Sequence, residues 1–132
     1  MPLSRREFVA GALSATAIGS STAHSEANPM YGLISKLIAN AGQRDVFVST
    51  LLEATTAMPG CLSYVIATDP SDPNALWITE VWETKDAHAA SLSLPAVQAA
   101  MRKGRPLIAS FASRTITTPV GGHGIANRTE HT

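Results

Sequence analysis

From residue 30 onward, short runs rich in β-formers alternate with segments whose apolar residues recur every three or four positions. Residues 30–39 make a mostly apolar run closed by Asn40, Ala41 and Gly42, and are expected as the first strand. Over residues 43–58, Phe47, Leu51, Ala54 and Met58 form one row and Val48, Leu52 and Thr55 a second, which is helical spacing. Asp45 lies in the first turn, where a negative charge is favoured, and Pro59-Gly60 should end the helix. Residues 61–69 and 75–83 read as two strands joined by the turn cluster 70–74, an antiparallel hairpin. Thr84 is placed to cap a helix carrying His88 and ending near Leu94. Pro95 then suits the first turn of another helix to Lys103, where Arg102 and Lys103 oppose the dipole and Gly104 ends it. Residues 106–110 are expected as a connection and 111–119 as the last strand.

This order of strand, helix, strand, strand, broken helix, strand is the split βαβ arrangement of ferredoxin-like α+β folds. Along the third strand Leu76, Ile78, Glu80 and Trp82 share one side, and Trp77, Thr79 and Val81 the other. Both sides are apolar and the helices suffice for one. The pattern therefore predicts a homodimer packed through the sheet.

Composition narrows the partners. The 132 residues carry ten Lys+Arg against ten Asp+Glu, so no basic field favours nucleic acid. A single cysteine forms neither an internal disulfide nor a four-thiolate zinc site. The histidines show no His-x-x-x-His spacing, and no phosphate-binding glycine motif stands between a strand and a helix. No metal, flavin or nucleotide cofactor is expected.

Residues 1–27 differ from the rest. Ser4-Arg5-Arg6-Glu7-Phe8 precedes a short, weakly apolar stretch rich in Ala and Gly, then small polar residues. A charged start, a short apolar middle and a small-residue end make a secretion signal. The paired arginines resemble the twin-arginine export signal, with cleavage after Ala23 or Ala27. An amphipathic or disordered arm is the alternative, and a start at Met30 would leave a cytoplasmic protein. The expectation is a periplasmic or secreted domain over 28–120 with no stable membrane anchor, followed by a loosely held tail over 121–132.

Four residues of the predicted domain carry candidate chemistry. His88 follows a strand end in the first turns of a helix, where a cation is disfavoured, so its imidazole tends to stay neutral and accept a proton; a surface or capping histidine is the plainer reading. Trp82 is either core or pocket wall, and Tyr64 offers a phenol or an aromatic wall. Glu80 is a carboxylate inside an apolar strand, which either pairs with a cation such as Lys36 or serves as base or substrate anchor. Arg105 is read as solvated, and Cys61 as a buried strand cysteine.

Several segments together resemble a known family: Met30-Tyr31-Gly32-Leu33-Ile34, Met58-Pro59-Gly60-Cys61-Leu62-Ser63-Tyr64, Glu80-Val81-Trp82-Glu83 followed by Ala87-His88, and Ser91-Leu92-Ser93-Leu94-Pro95. They resemble the antibiotic biosynthesis monooxygenase (ABM) domain, particularly its small quinol monooxygenase-like members, over roughly residues 30–120. The resemblance implies a dimeric ferredoxin-like α+β barrel whose oxygenases use no flavin, haem or metal. It implies a small electron-rich aromatic substrate and dioxygen, with His88 as base, Glu80 orienting or relaying the proton, and Trp82 and Tyr64 as walls. The family also holds haem-degrading enzymes, which keep an Asn, a Trp and a His ligand. The Trp matches Trp82, but the Asn position falls on or near Ser35 and the ligand near Met101, two departures that argue against haem and leave Ser35 and Met101 as substrate-side candidates. A non-oxidative isomerase or ligand-binding module is the remaining alternative.

Overall fold

The computed structural model describes residues 29–125; the export signal expected over 1–27 and the end of the tail lie outside the described residues. Its elements are β1 (Tyr31–Ala39), α1 (Arg44–Ala54), β2 (Cys61–Thr68), β3 (Ala75–Trp82), α2 (Lys85–Ser91), α3 (Pro95–Gly104), a 3₁₀ turn (Arg105–Leu107) and β4 (Ile108–Thr117). The strands form one antiparallel sheet in the order β2-β3-β1-β4, and the fold is the expected ferredoxin-like α+β arrangement.

Strand parity decides which face carries the core. Across β1 and β3 the pairs Tyr31–Trp82, Leu33–Glu80, Ser35–Ile78 and Leu37–Leu76 share the helix-covered face. Leu33, Leu37, Leu76, Ile78 and Trp82 are buried there, and Phe47 from α1 packs onto Leu37, Leu76 and Ile78. Among the described residues no helix covers the opposite face, where Ile34 and Val65 remain 37% and 53% exposed. No helix among the described residues is long and apolar enough to cross a membrane.

Four boundaries or roles differ from the sequence expectation, each for a local reason. Helix α1 ends at Ala54 rather than Met58 because the Thr55 hydroxyl and backbone N–H both donate to the Leu52 carbonyl, which closes the helix one turn early. Its second apolar row is not inward throughout: Leu52 is exposed, while Thr50 is buried with its hydroxyl bonded to the Val46 carbonyl. Strand β4 begins at Ile108, inside the expected connection. There Asn40 bonds the Pro106 carbonyl through Nδ2 and the Leu107 carbonyl through its backbone N–H, both at 2.8 Å, and so fixes the reversal early. Gly104 does not stop α3 in a left-handed turn. It is the last helical residue, and a Cβ on it would stand 2.8 Å from the Phe47 ring, so glycine here allows close helix packing.

Three bulges interrupt the flanking strands; the one between Ile108–Ala39 and Ser110–Ile38 leaves Ala109 extra, and the other two set which side chains share the face at the site. In β2 the register passes from Cys61–Trp82 to Ser63–Val81, and in β4 from Phe111–Leu37 to Ser113–Lys36. Leu62 and Ala112 are the extra residues. Each of these two brings residues three apart onto the same side: Cys61 with Tyr64, and Phe111 with Arg114.

Helix α2 starts where expected. Thr84 Oγ1 accepts the Ala87 N–H at 3.0 Å. Gly60, at φ +82°, lets the β2 approach pass so close to α2 that a Cβ there would lie 2.6 Å from that of Ala87. This contact seats α2, and with it His88, against the end of β3.

Candidate active site

Between the helices and the sheet lies a cavity of about 330 Å³. Leu51, Met58, Val97, Met101 and Phe111 supply apolar wall. Tyr64, Glu80, Trp82 and His88 gather its polar groups toward the Tyr31–Trp82 end of the sheet, and Arg105 lines the other end. A mostly apolar hollow with few convergent polar groups is the usual form of a small-molecule site.

Trp82 organises the polar end. It is 1% exposed, and its indole N–H needs an acceptor. Glu80, two residues earlier and therefore on the same face, accepts it through Oε1 at 2.9 Å. The same Oε1 lies 3.9 Å from His88 Nε2, close but beyond hydrogen-bonding distance. The His88 ring meets Trp82 edge-on at a centroid distance of 5.5 Å and Tyr31 at 5.3 Å. Tyr64 stands directly across from Glu80 in the β2–β3 register.

Burial moves these groups toward neutrality. It pushes the Glu80 carboxyl up from 4.5, with the Trp82 N–H and the Arg114 charge pulling part of the way back. It pushes the His88 imidazole down from 6.5, and Arg114 adds to that shift. The Tyr64 phenol is raised by burial and by Glu80, so it stays protonated. The half-buried Cys61 thiol is raised mainly by burial, and it donates to the Ser63 carbonyl at 3.6 Å. Desolvation, rather than the start of a helix, thus favours the neutral form of His88, since it sits in the middle of the short α2.

Of the residues singled out in the sequence, Glu80, Trp82, Tyr64, His88 and Met101 line this one cavity. Ser35 does not; it lies on the same sheet face, between Ile78 and Arg114 in register. The expected Glu80–Lys36 pair does not form, because the two occupy opposite faces. Lys36 is 3.7 Å from Asp69 and sits over the Trp77 ring, whose N–H donates to that same Asp69. Arg105, expected in solvent, is exposed but also borders the cavity. Tyr31 and Arg114 were missed. Tyr31 needed the β1–β3 register and Arg114 the β4 bulge, and neither is written in a local pattern. Among the described residues no three His, Cys, Asp or Glu side chains form a group that could hold a metal ion.

A family model described as antibiotic biosynthesis monooxygenase matches residues 30–103. The chain belongs to the antibiotic biosynthesis monooxygenase family. A crystal structure from Chloroflexus aurantiacus, whose name provisionally places it in the same family, is 59% identical; the match covers 73% of this chain and 98% of that one, with a TM-score of 0.72. Proteins from Pseudomonas aeruginosa and Nitrosomonas europaea share the fold at 18% and 16% identity. Each match covers 70% of this chain and 96% and 92% of theirs, with TM-scores of 0.63 and 0.64. No curated protein matches. The antibiotic biosynthesis monooxygenase match runs from β1 through most of α3. It takes in Tyr64, Glu80, Trp82, His88 and Met101 but stops before Arg105 and β4.

Replacing Glu80 tests the burial argument. A raised carboxyl keeps its proton to higher pH in the folded than in the unfolded chain. Its contribution to stability is therefore fully present below pH 4.5 and is lost as pH rises through the folded value. Glu80→Gln keeps an acceptor for the indole and removes that loss. Its melting temperature should rise relative to the wild type between pH 4 and pH 8 in thermal melts. Glu80→Ala strands the indole N–H and should cost about 1–3 kcal/mol in denaturant unfolding across that range.

Proposed function

We propose that this family member oxidises a small electron-rich aromatic of quinol type with dioxygen, without a cofactor. The observation that carries this reading is the placement of His88, its pKa lowered by burial, between Tyr31 and Trp82 in an apolar cavity beside the buried Glu80 carboxyl. A quinol transfers an electron to dioxygen far more readily once deprotonated, so the protein has to supply a base and a dry cleft. His88 takes the phenolic proton through Nε2. Glu80 orients the ring or passes the proton on, Trp82 and Tyr64 hold the aromatic plane, and Met101 closes the apolar wall. Ser35 lines no part of the cavity and touches no reacting group. For a simple quinol the balance is one dioxygen consumed, one oxygen atom added to give a hydroxyquinone, and the other released as water.

We also infer that two copies pack through the helix-free face of the sheet. Ile34, Val65, Trp77 and Val81 make that face apolar, while the Lys36–Asp69 pair lies within it. Sedimentation at twice the chain mass is expected, and sedimentation as a single chain contradicts it.

Oxygen-electrode measurements with a panel of reduced quinones test the chemistry. Uptake is expected for the wild type, with kcat falling about 10²–10⁴-fold in His88→Ala. Because burial lowers the His88 pKa, kcat/KM should climb with pH below 6.5 and level off near neutrality. No uptake with any quinol, or full activity in His88→Ala, overturns the reading. Tight stoichiometric haemin binding with a shifted Soret band would replace it.

A further inference from the structure

We propose that Arg114 on β4 holds the deprotonated, phenolate-type oxygen of the substrate at the Glu80–His88 end of the cavity. This deepens the quinol reading and rests on it for the identity of the ligand.

The argument begins with what that end of the cavity lacks. Among the described residues, the ionisable groups that line this end or flank His88 and Trp82 are Glu80 from β3, Tyr64 and Cys61 from β2, Tyr31 from β1 and His88 from α2, while Lys85 lies with Tyr31 in a separate hollow. None of those lining or flanking groups is a permanent cation. Arg105 lines the same cavity, but it leads into Ile108, which pairs with Ala39, whereas Glu80 pairs with Leu33. Six residues of strand separate those two rows, about 20 Å. An oxyanion formed next to His88 has beside it only the imidazolium left by proton transfer, a charge that burial disfavours, and no permanent cation in the wall, which is costly in a dry site.

Arg114 is the cation the fold brings near. The bulge at Ala112 puts it on the helix-covered face together with Phe111, which lines the cavity. In register Arg114 lies across from Ser35, and Ser35 across from Ile78, one row along from Leu33–Glu80. Two strand spacings and one row put the Arg114 and Glu80 backbones about 12 Å apart, a span that the two long side chains cover between them. The only side chain in Arg114's own row before β3 is Ser35, which is too small to block the way. A larger residue there would stand between the guanidinium and the site, which gives Ser35 a physical role without contact with the cavity. Arg114 is exposed and has no ion-pair partner among the described residues, so its charge remains available. Its field already reaches both Glu80 and His88. A guanidinium stays charged at every working pH and presents several donors to an oxygen anion.

The test needs no turnover. Binding of 4-nitrophenol is followed by absorbance across pH, which separates phenolate from phenol, and 4-nitroanisole serves as the neutral analogue that cannot ionise. The full-length wild type should bind 4-nitrophenolate at least tenfold more tightly than 4-nitroanisole. Arg114→Gln should lose about tenfold in phenolate affinity with anisole affinity unchanged, and Arg114→Lys should recover part of the loss. Equal binding of the two probes by the wild type, binding of neither, or an equal loss of both in Arg114→Gln overturns the proposal. Phenolate selectivity that depends on Arg114 in a protein showing no oxygen uptake with quinols would sink the monooxygenase reading and leave this one standing.

Discussion

One hydrogen bond constrains the whole site: the Trp82 indole N–H donating to Glu80. A tryptophan this deeply buried cannot leave its N–H unpaired without losing about 1–3 kcal/mol. The acceptor within reach is a carboxylate two residues away, on the same face of the same strand. Satisfying the indole therefore places a carboxylate inside the apolar layer. The same burial disfavours charge on that carboxyl and on its neighbour His88, whose Nε2 lies 3.9 Å from it. Core packing and candidate chemistry share the same three side chains.

The surrounding fold keeps that arrangement in place. Gly60 allows β2 to run against Ala87, Thr84 caps α2, and the ring contacts of His88 with Tyr31 and Trp82 fix the imidazole from two sides. Gly104 lets α3 press onto Phe47, which floors the far end of the cavity. The bulges at Leu62 and Ala112 then choose which residues of the flanking strands look inward. Without them, Tyr64 and Cys61, or Phe111 and Arg114, would be divided between the two faces.

Much of this was legible in the residue pattern. The hairpin of β2 and β3 announces itself by β-formers on either side of a Pro-rich turn, and the Thr84 cap and Pro95 start follow from local chemistry. Glu80 and Trp82 were recognisable as neighbours because period-two alternation needs no knowledge of the partner strand. What was not legible depends on contacts distant in sequence. The early start of β4 is set by Asn40, 66 residues before Pro106. The Lys36–Glu80 pairing failed because alternation in one strand does not say which of its sides meets which side of another. Tyr31 and Arg114 became visible only once register and bulge were known. Local hydrogen bonding by Thr55 shortened α1 against a periodicity that continued past it.

Everything proposed for this cavity requires an uncharged imidazole at position 88 under working conditions. A ¹⁵N NMR titration of the His88 ring in the full-length protein measures that directly. The account predicts a midpoint below the ordinary 6.5, with the neutral ring dominant at pH 7. A midpoint at or above 6.5 would mean that water or the Glu80 charge, rather than burial, governs the ring, and would contradict the account.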